Sequence, residues 1–432
     1  MKIASALPSA VLYAITRPLD HVPTQAELIS YADPQNPLVW VRDERGAVGV
    51  GEALRLRFLG PGRFADATRI WREIAATAVI DDPVQLPGTG LAAVGSFAFS
   101  SADPVASVLV VPKLVISRRH DTAWITQITV GPPEGEPQLP TPIPPRDWVG
   151  TELPITDDDP EYLSRVRDAS ERISRREVEK LVLARQVRGT IGADQDLRVP
   201  LLRLAHRYQN CWTYAIDGLV GASPETLVRR ADGAITARVL AGTRSRNPND
   251  PKADARARNE LLSSSKEQHE HAFAVQSVIT ALSPHVREMH TSEEPYALGL
   301  PNVWHLATEL GAVPEGAGSS LELVAALHPT AAVAGTPTAA AVDAIDDIEG
   351  VSRGRYAGPT GWIDAKGEGE WIIALRCAKI DAPAVDPETG EVAAERRITA
   401  YAGGGIVMGS DPQREFAETV SKFAPIADAF AP

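Results

Sequence analysis

Cysteine is scarce in this chain. Cys211 and Cys377 are the two in 432 residues, far apart and in no CxxC spacing, so a reducing compartment is the default. Long apolar runs are missing as well, and none approaches the roughly 18 residues that a membrane-spanning helix needs. Near the N-terminus Lys2 is followed by a weak apolar stretch that Pro8 interrupts, which reads as mature protein and not as a signal peptide. Basic charge is in deficit: 43 Lys and Arg stand against 56 Asp and Glu, for a formal net charge of −13. That balance argues against nucleic acid or an anionic membrane as the main partner. Together these absences predict a cytoplasmic protein. The length is enough for a large core and long for one ordinary domain.

What is present changes in texture along the chain. Up to about residue 145 the pattern is mostly strands: residues 11–16, 38–42, 48–58, 92–99, 106–117 and 122–130 are apolar or alternating runs bounded by Gly, Pro and Asp. One helix, over residues 63–77, interrupts them. Residues 131–147, GPPEGEPQLPTPIPPRD, form a proline-rich surface linker that need not divide two domains. Beyond it a helix opens at Asp159-Pro160, and the strand-like run KLVLARQV begins at Lys180. GASPETLV, with Glu225, is a tight segment, and a strand over residues 235–240 leads into AGTR, with Gly242 and Thr243. One long helix is expected over residues 254–282.

The chemistry-bearing stretch is YAGGGIVMGSDPQREFAETVSK, Tyr401 to Lys422. Gly403, Gly404 and Gly405 let backbone N–H groups approach a ligand, and in a turn such groups form a nest for a carboxylate or phosphate. A helix then starts, capped by Ser410 or Asp411 with Pro412 in its first turn. Phe416, Val420 and Phe423 form its expected buried stripe, with Glu415, Glu418 and Lys422 on one flank. On the upstream helix Leu261, Ala272, Val275, Ile279 and Leu282 form the expected apolar face, with Glu267 and Glu270 opposite. Four carboxylates facing one another without a cysteine ligand suit Mg²⁺. His269 and His271 fall on different sides of a helix and are expected to be structural. His305, alone on the strand NVWHLAT, fits a hydrogen-bonded core residue. Arg376 lies inside the apolar run IIALRCAKI, in an expected strand over residues 370–380. An arginine there is costly to bury unpaired, so it calls for a carboxylate from protein or ligand.

In order along the chain, KLVLAR, GASPE, LAGTR, KEQHEH, WHLAT, HPTAAVAGTP, RGRYAGPTGW, ALRCAKI and YAGGGIV…REFAETVSK resemble the signature blocks of the chorismate-utilising enzymes. That family includes isochorismate, salicylate, anthranilate and aminodeoxychorismate synthases. The resemblance covers residues 157–432, and residues 1–150 match as a strand-rich part of the same fold. It implies a single large α+β domain over residues 1–432, with a two-sheet β core wrapped by helices. It implies Mg²⁺ on Glu270 and Glu415, supported by Glu267 and Glu418. It places the ring carboxylate of chorismate near Lys422, Gly403, Gly404 and Gly405, and the enolpyruvyl carboxylate on Arg376 and Tyr356. Gly242, Thr243, His305 and Ala332 complete the implied substrate site. Lys180 stands where water-using members carry lysine and looks like the base that activates water for attack at C2. Glu225 looks like the acid that protonates the departing C4 hydroxyl.

Ala241 stands where aminodeoxychorismate synthases carry a nucleophilic lysine, so neither that chemistry nor a glutamine amidotransferase subunit is expected. A monomer is. Ala332 and Val333 are small and apolar where salicylate-forming relatives tend to have threonine first. The resemblance therefore points to isochorismate formation, for siderophore or menaquinone synthesis, with salicylate formation by pyruvate elimination as the alternative. One departure is VSRG, which lacks the acidic residue that often precedes the position of Arg353.

Overall fold

The computed structural model describes residues 11–432, so the Pro8 stretch lies outside it. Two sheets, almost wholly antiparallel, organise the chain. The first has twelve strands in the spatial order Gly335–Thr336, Lys180–Gly192, Glu395–Ile406, Cys377–Ile380, Leu219–Ser223, Trp212–Ile216, Leu38–Arg42, Arg45–Val50, Leu114–Arg119, Thr122–Val130, Leu12–Pro18 and Val79–Asp81. The second runs Val286–Thr291, Val303–Pro314, Ala234–Ser245, Thr226–Ala231, Gly369–Ile373, Pro359–Asp364, Ala92–Ser96, Ser107–Val111 and Leu54–Phe58, with Tyr296–Gly299 also paired to Val303–Pro314. The N-terminal third feeds both sheets: Leu38–Arg42 pairs with Trp212–Ile216, and Ala92–Ser96 with Pro359–Asp364. One core cluster joins Trp40 and Tyr214 of the first sheet to Leu109 and Trp371 of the second. The two-sheet α+β core wrapped by helices is as expected, and residues 131–147 carry neither helix nor strand. Among the described residues no helix is long and apolar enough to cross a membrane.

Two neighbouring strands change sheet together, and this positions the site. Leu219–Ser223 pairs with Cys377–Ile380 in the first sheet, while Thr226–Ala231 pairs with Gly369–Ile373 in the second. Pro224 and Glu225 make one crossing, and Ala374, Leu375 and Arg376 make the other. The single strand expected over residues 370–380 is therefore two. Its apolar character continues past the break because both halves are buried. The break is conformational: Arg376 takes φ +49, a left-handed value that non-glycine residues seldom adopt and that clusters at functional sites.

The expected long helix is also two, Pro251–Ser263 and Ser265–Leu282. Ser264 leaves the helical conformation and its side chain accepts the Glu267 N–H, capping the second helix. The buried face of that helix is His271, Ala274, Val278 and Leu282, while Ala272 is exposed. Glu267 is one turn before His271 and Glu270 one turn before Ala274. The carboxylates thus extend the inner stripe and do not oppose it, because this end of the helix faces a polar cavity. The same correction applies to Pro412–Phe430, capped by Asp411 as expected. Its buried stripe is Glu415, Thr419, Phe423, Ile426 and Phe430, with Phe416 and Val420 half-buried.

Candidate active site

The three glycines do not form a turn. They lie in Glu395–Ile406, in register with Lys180–Gly192: Gly403 opposite Ala184, Gly404 opposite Leu183, Gly405 opposite Val182. None has a positive φ. Val182 donates to Ala334 O at 2.9 Å and Ala184 to Glu349 Oε1 at 2.7 Å, both away from this neighbour. Gly403 and Gly405 therefore hold non-hydrogen-bonded positions and turn their own N–H groups away from that strand. Glycine is required here for space. A Cβ at Gly405 would sit 3.1 Å from Glu270 Oε1 and 3.2 Å from Lys180 Cε, and one at Gly403 would sit 2.9 Å from Tyr356 Oη.

One cavity at the sheet crossings brings together Lys180, Glu225, Gly242, Thr243, His305, Ala332, Tyr356, Arg376, Gly403, Gly405 and Lys422 with Glu267, Glu270, Glu415 and Glu418. Gly404 is off its wall: a Cβ there would meet Glu415 Oε2 and Tyr162 Oη.

The charges inside are unevenly matched. Lys180 Nζ donates to Glu270 Oε1 at 2.6 Å. Lys422 Nζ pairs with Glu418 Oε1 at 2.5 Å and donates to Gly403 O at 2.8 Å. Burial would raise the Glu270 carboxyl, but the Lys180 ammonium outweighs it and holds that group below its ordinary value. The two carboxylates without a lysine contact go the other way. Glu415 is pushed up to about 7 by burial and then by Glu418. Burial and then Glu270 raise Glu267. Among the described residues no three such side chains converge as a preassembled metal centre; the lysines hold two of the four aside.

Glu225 is 5% exposed, and burial pushes its carboxyl up to about 8 against the lowering field of Lys180. At neutral pH it keeps its proton and can donate.

Arg376 is buried with no carboxylate partner. Its Nη2 donates to His305 Nε2 at 3.1 Å, and its Nη1 has no partner at all. A guanidinium only donates, so His305 Nε2 accepts. The ring proton is then on Nδ1, 3.0 Å from Thr243 Oγ1 and 3.4 Å from Gly242 O. Burial, then the Arg376 charge, keep this imidazole well below its ordinary value and neutral. His305 thus orients Arg376. Gly242, at φ +83, forms the bulge that brings Thr243 opposite His305. Tyr356 stacks on Tyr401 with ring centroids 5.0 Å apart.

The VSRG departure has a local answer. Arg353 finds its carboxylate one turn earlier, at Glu349, through Nη2 at 2.5 Å and Nε at 2.9 Å. It also donates to Val333 O at 3.0 Å and Val182 O at 2.6 Å. The pair therefore ties the loop that carries Ala332 to the strand that carries Lys180. Of the two histidines beside Glu270, His271 is held by hydrogen bonds and His269, among the described residues, is not. The buried His271 ring lies 3.2 Å from Ala241 O and 2.7 Å from Thr308 Oγ1, and exposed His269 sits edge-on to Phe273. Among the polar side chains that line the cavity, Lys266, Arg353 and Tyr401 have no role in the sequence analysis. Lys266 directly precedes Glu267, a signal that was available.

The profile of the family described as "Chorismate binding enzyme" matches residues 2–141 and 144–431. The chain belongs to this family. Chorismate-binding enzymes similar to it include isochorismate synthase DhbC of Bacillus subtilis, 39% identical over 279 residues, 61% of this chain and 66% of that protein. The "salicylate biosynthesis isochorismate synthase" of Pseudomonas aeruginosa is 30% identical over 457 residues, 99% of this chain and 92% of that protein. The solved structure of MenF, the menaquinone-specific isochorismate synthase of Escherichia coli, shares the fold, with a TM-score of 0.74 at 23% identity over 98% of this chain and 95% of that one. This chorismate-binding enzyme has alanine at position 241 on the cavity wall, so no amine nucleophile stands there.

Proposed function

We propose that the protein is an isochorismate synthase that relocates a hydroxyl of chorismate from C4 to C2. The observation that carries this reading is a buried acid, Glu225, sharing one cavity with Lys180, with burial pushing its carboxyl up to about 8. Lys180, after releasing its proton, takes one from the attacking water as the C2–O bond forms. Glu225 gives its proton to the C4 hydroxyl, which departs as water. One water enters and one leaves, so reactant and product are isomers. The free Nη1 of Arg376 suits the enolpyruvyl carboxylate, beside Tyr356.

The donor set fits Mg²⁺: the ligands are all carboxylate oxygens, and Glu415 and Glu267 are crowded in a way that a divalent cation relieves. Glu270 and Glu415 would hold it, with Glu267 and Glu418 in support, and when bound it supplies positive charge for the ring carboxylate. Ala241 gives no reason to invoke ammonia or an amidotransferase subunit, and the reading is of a cytoplasmic monomer. The product feeds siderophore or menaquinone synthesis.

Incubation with chorismate and Mg²⁺ at neutral pH tests the proposal. The same chorismate–isochorismate mixture should be reached from either side, and ammonium should yield no anthranilate. Salicylate and pyruvate as the dominant early products would assign the eliminating reaction instead.

A further inference from the structure

Tyr162 is fully buried, and its hydroxyl has no hydrogen-bond partner. An unmet polar group in the interior is destabilising and calls for an explanation. The residue cannot easily turn away. It sits in the first turn of Pro160–Ser174, where Asp159 caps the helix by accepting the Tyr162 N–H at 2.9 Å. Asp159 is in turn held by Arg185 Nε at 2.9 Å. The hydroxyl faces the metal-side carboxylates from behind the strand. A Cβ at Gly404 would lie 3.6 Å from Tyr162 Oη and 3.4 Å from Glu415 Oε2, so both oxygens stand over the same bare α-carbon. The charges that act most on the phenol are those of Glu415 and then Glu418.

We propose that Tyr162 is a positioning residue for Glu415, its hydroxyl donating to that carboxylate, directly or through one water, when the carboxylate holds a divalent cation. The inference rests on the Mg²⁺ reading above. Glycine at 404 leaves bare the α-carbon that both oxygens border, which gives that glycine a purpose although it is off the cavity wall. Partners behind a ligating carboxylate fix its orientation, and their loss commonly weakens metal binding by about 10- to 100-fold.

The test is Mg²⁺ affinity, measured by calorimetry on the free protein and again in an equilibrated chorismate–isochorismate mixture. Tyr162→Phe should raise the Kd for Mg²⁺ by about tenfold or more, leave the melting temperature of the metal-free protein unchanged or higher, and recover turnover at high Mg²⁺. Gly404→Ala meets ordinary contact distances and should fold, yet its methyl group lies against both oxygens. It should weaken Mg²⁺ similarly, with no further loss in the double variant. Equal Mg²⁺ affinity in parent and Tyr162→Phe overturns the role of Tyr162. Absence of Mg²⁺ binding by the parent under both conditions overturns the metal reading itself, and this inference with it.

Discussion

Glu225→Gln should lower kcat by roughly 10²- to 10⁴-fold, the span expected for loss of a positioned general acid, and should also make the protein more stable in mildly alkaline solution. Both effects come from one carboxyl pushed up to about 8 by burial. In the unfolded chain an ordinary glutamate loses its proton near about 4.3. Between those values the folded state binds the extra proton, so folding stability falls as pH rises, by about 1.4 kcal/mol per pH unit for this one group. Below the window the contribution is constant, and above about 8 it levels off. Glutamine has no such dependence, so the melting temperatures of variant and parent should separate from pH 5 to pH 8. The parent's kcat/KM should decline above about pH 8, because that quantity reports the free enzyme's acid. Lys180→Gln should be as inactive, for want of a base. A kcat/KM level to pH 10 in the parent would remove Glu225 from the acid role.

Glu415→Ala should reduce turnover on the order of 10²-fold or more, comparable to deleting a principal electrostatic stabiliser, with the fold intact. Chelation should do the same to the parent and be reversed by added Mg²⁺. The expectation has its own pH signature. The Glu415 carboxyl is pushed up to about 7 by burial and by Glu418, so protons compete with the cation there. Mg²⁺ binding should weaken as pH falls through about 7, and binding near that pH should release protons. In Glu415→Ala the proton release should shrink. Full activity in metal-free buffer would defeat the four-carboxylate assignment.

Much of this was legible in the sequence, and the failures share a physical cause. Residues 38–42, 63–77 and 122–130 have in the structure the boundaries expected of them, because turn residues flank short apolar or amphipathic runs there. Fifteen of the sixteen named site residues reach one cavity, Gly404 being the other. What periodicity misassigned was the direction of the carboxylates. It treats polar residues as outward, whereas Glu415 is 8% exposed and continues the stripe of Thr419 and Phe423. A helix that walls an internal polar cavity breaks the rule at that end alone. Arg376 shows a second limit. The apolar run around it correctly marked burial, but the sequence carries no sign that its halves belong to different sheets, since that depends on the partners Leu219–Ser223 and Thr226–Ala231. The glycines show a third: the residue type signals close approach without saying whether a turn or a strand supplies it. The Glu349–Arg353 pair, by contrast, is visible in the i, i+4 spacing alone.

Running the reaction in H₂¹⁸O and locating the label tests the central claim most directly. If Lys180 delivers solvent water to C2 while Glu225 expels the C4 hydroxyl, early isochorismate should carry ¹⁸O at C2, and chorismate re-formed from it should carry ¹⁸O at C4. Isochorismate that keeps the original oxygen of chorismate, unlabelled at C2, would contradict the account.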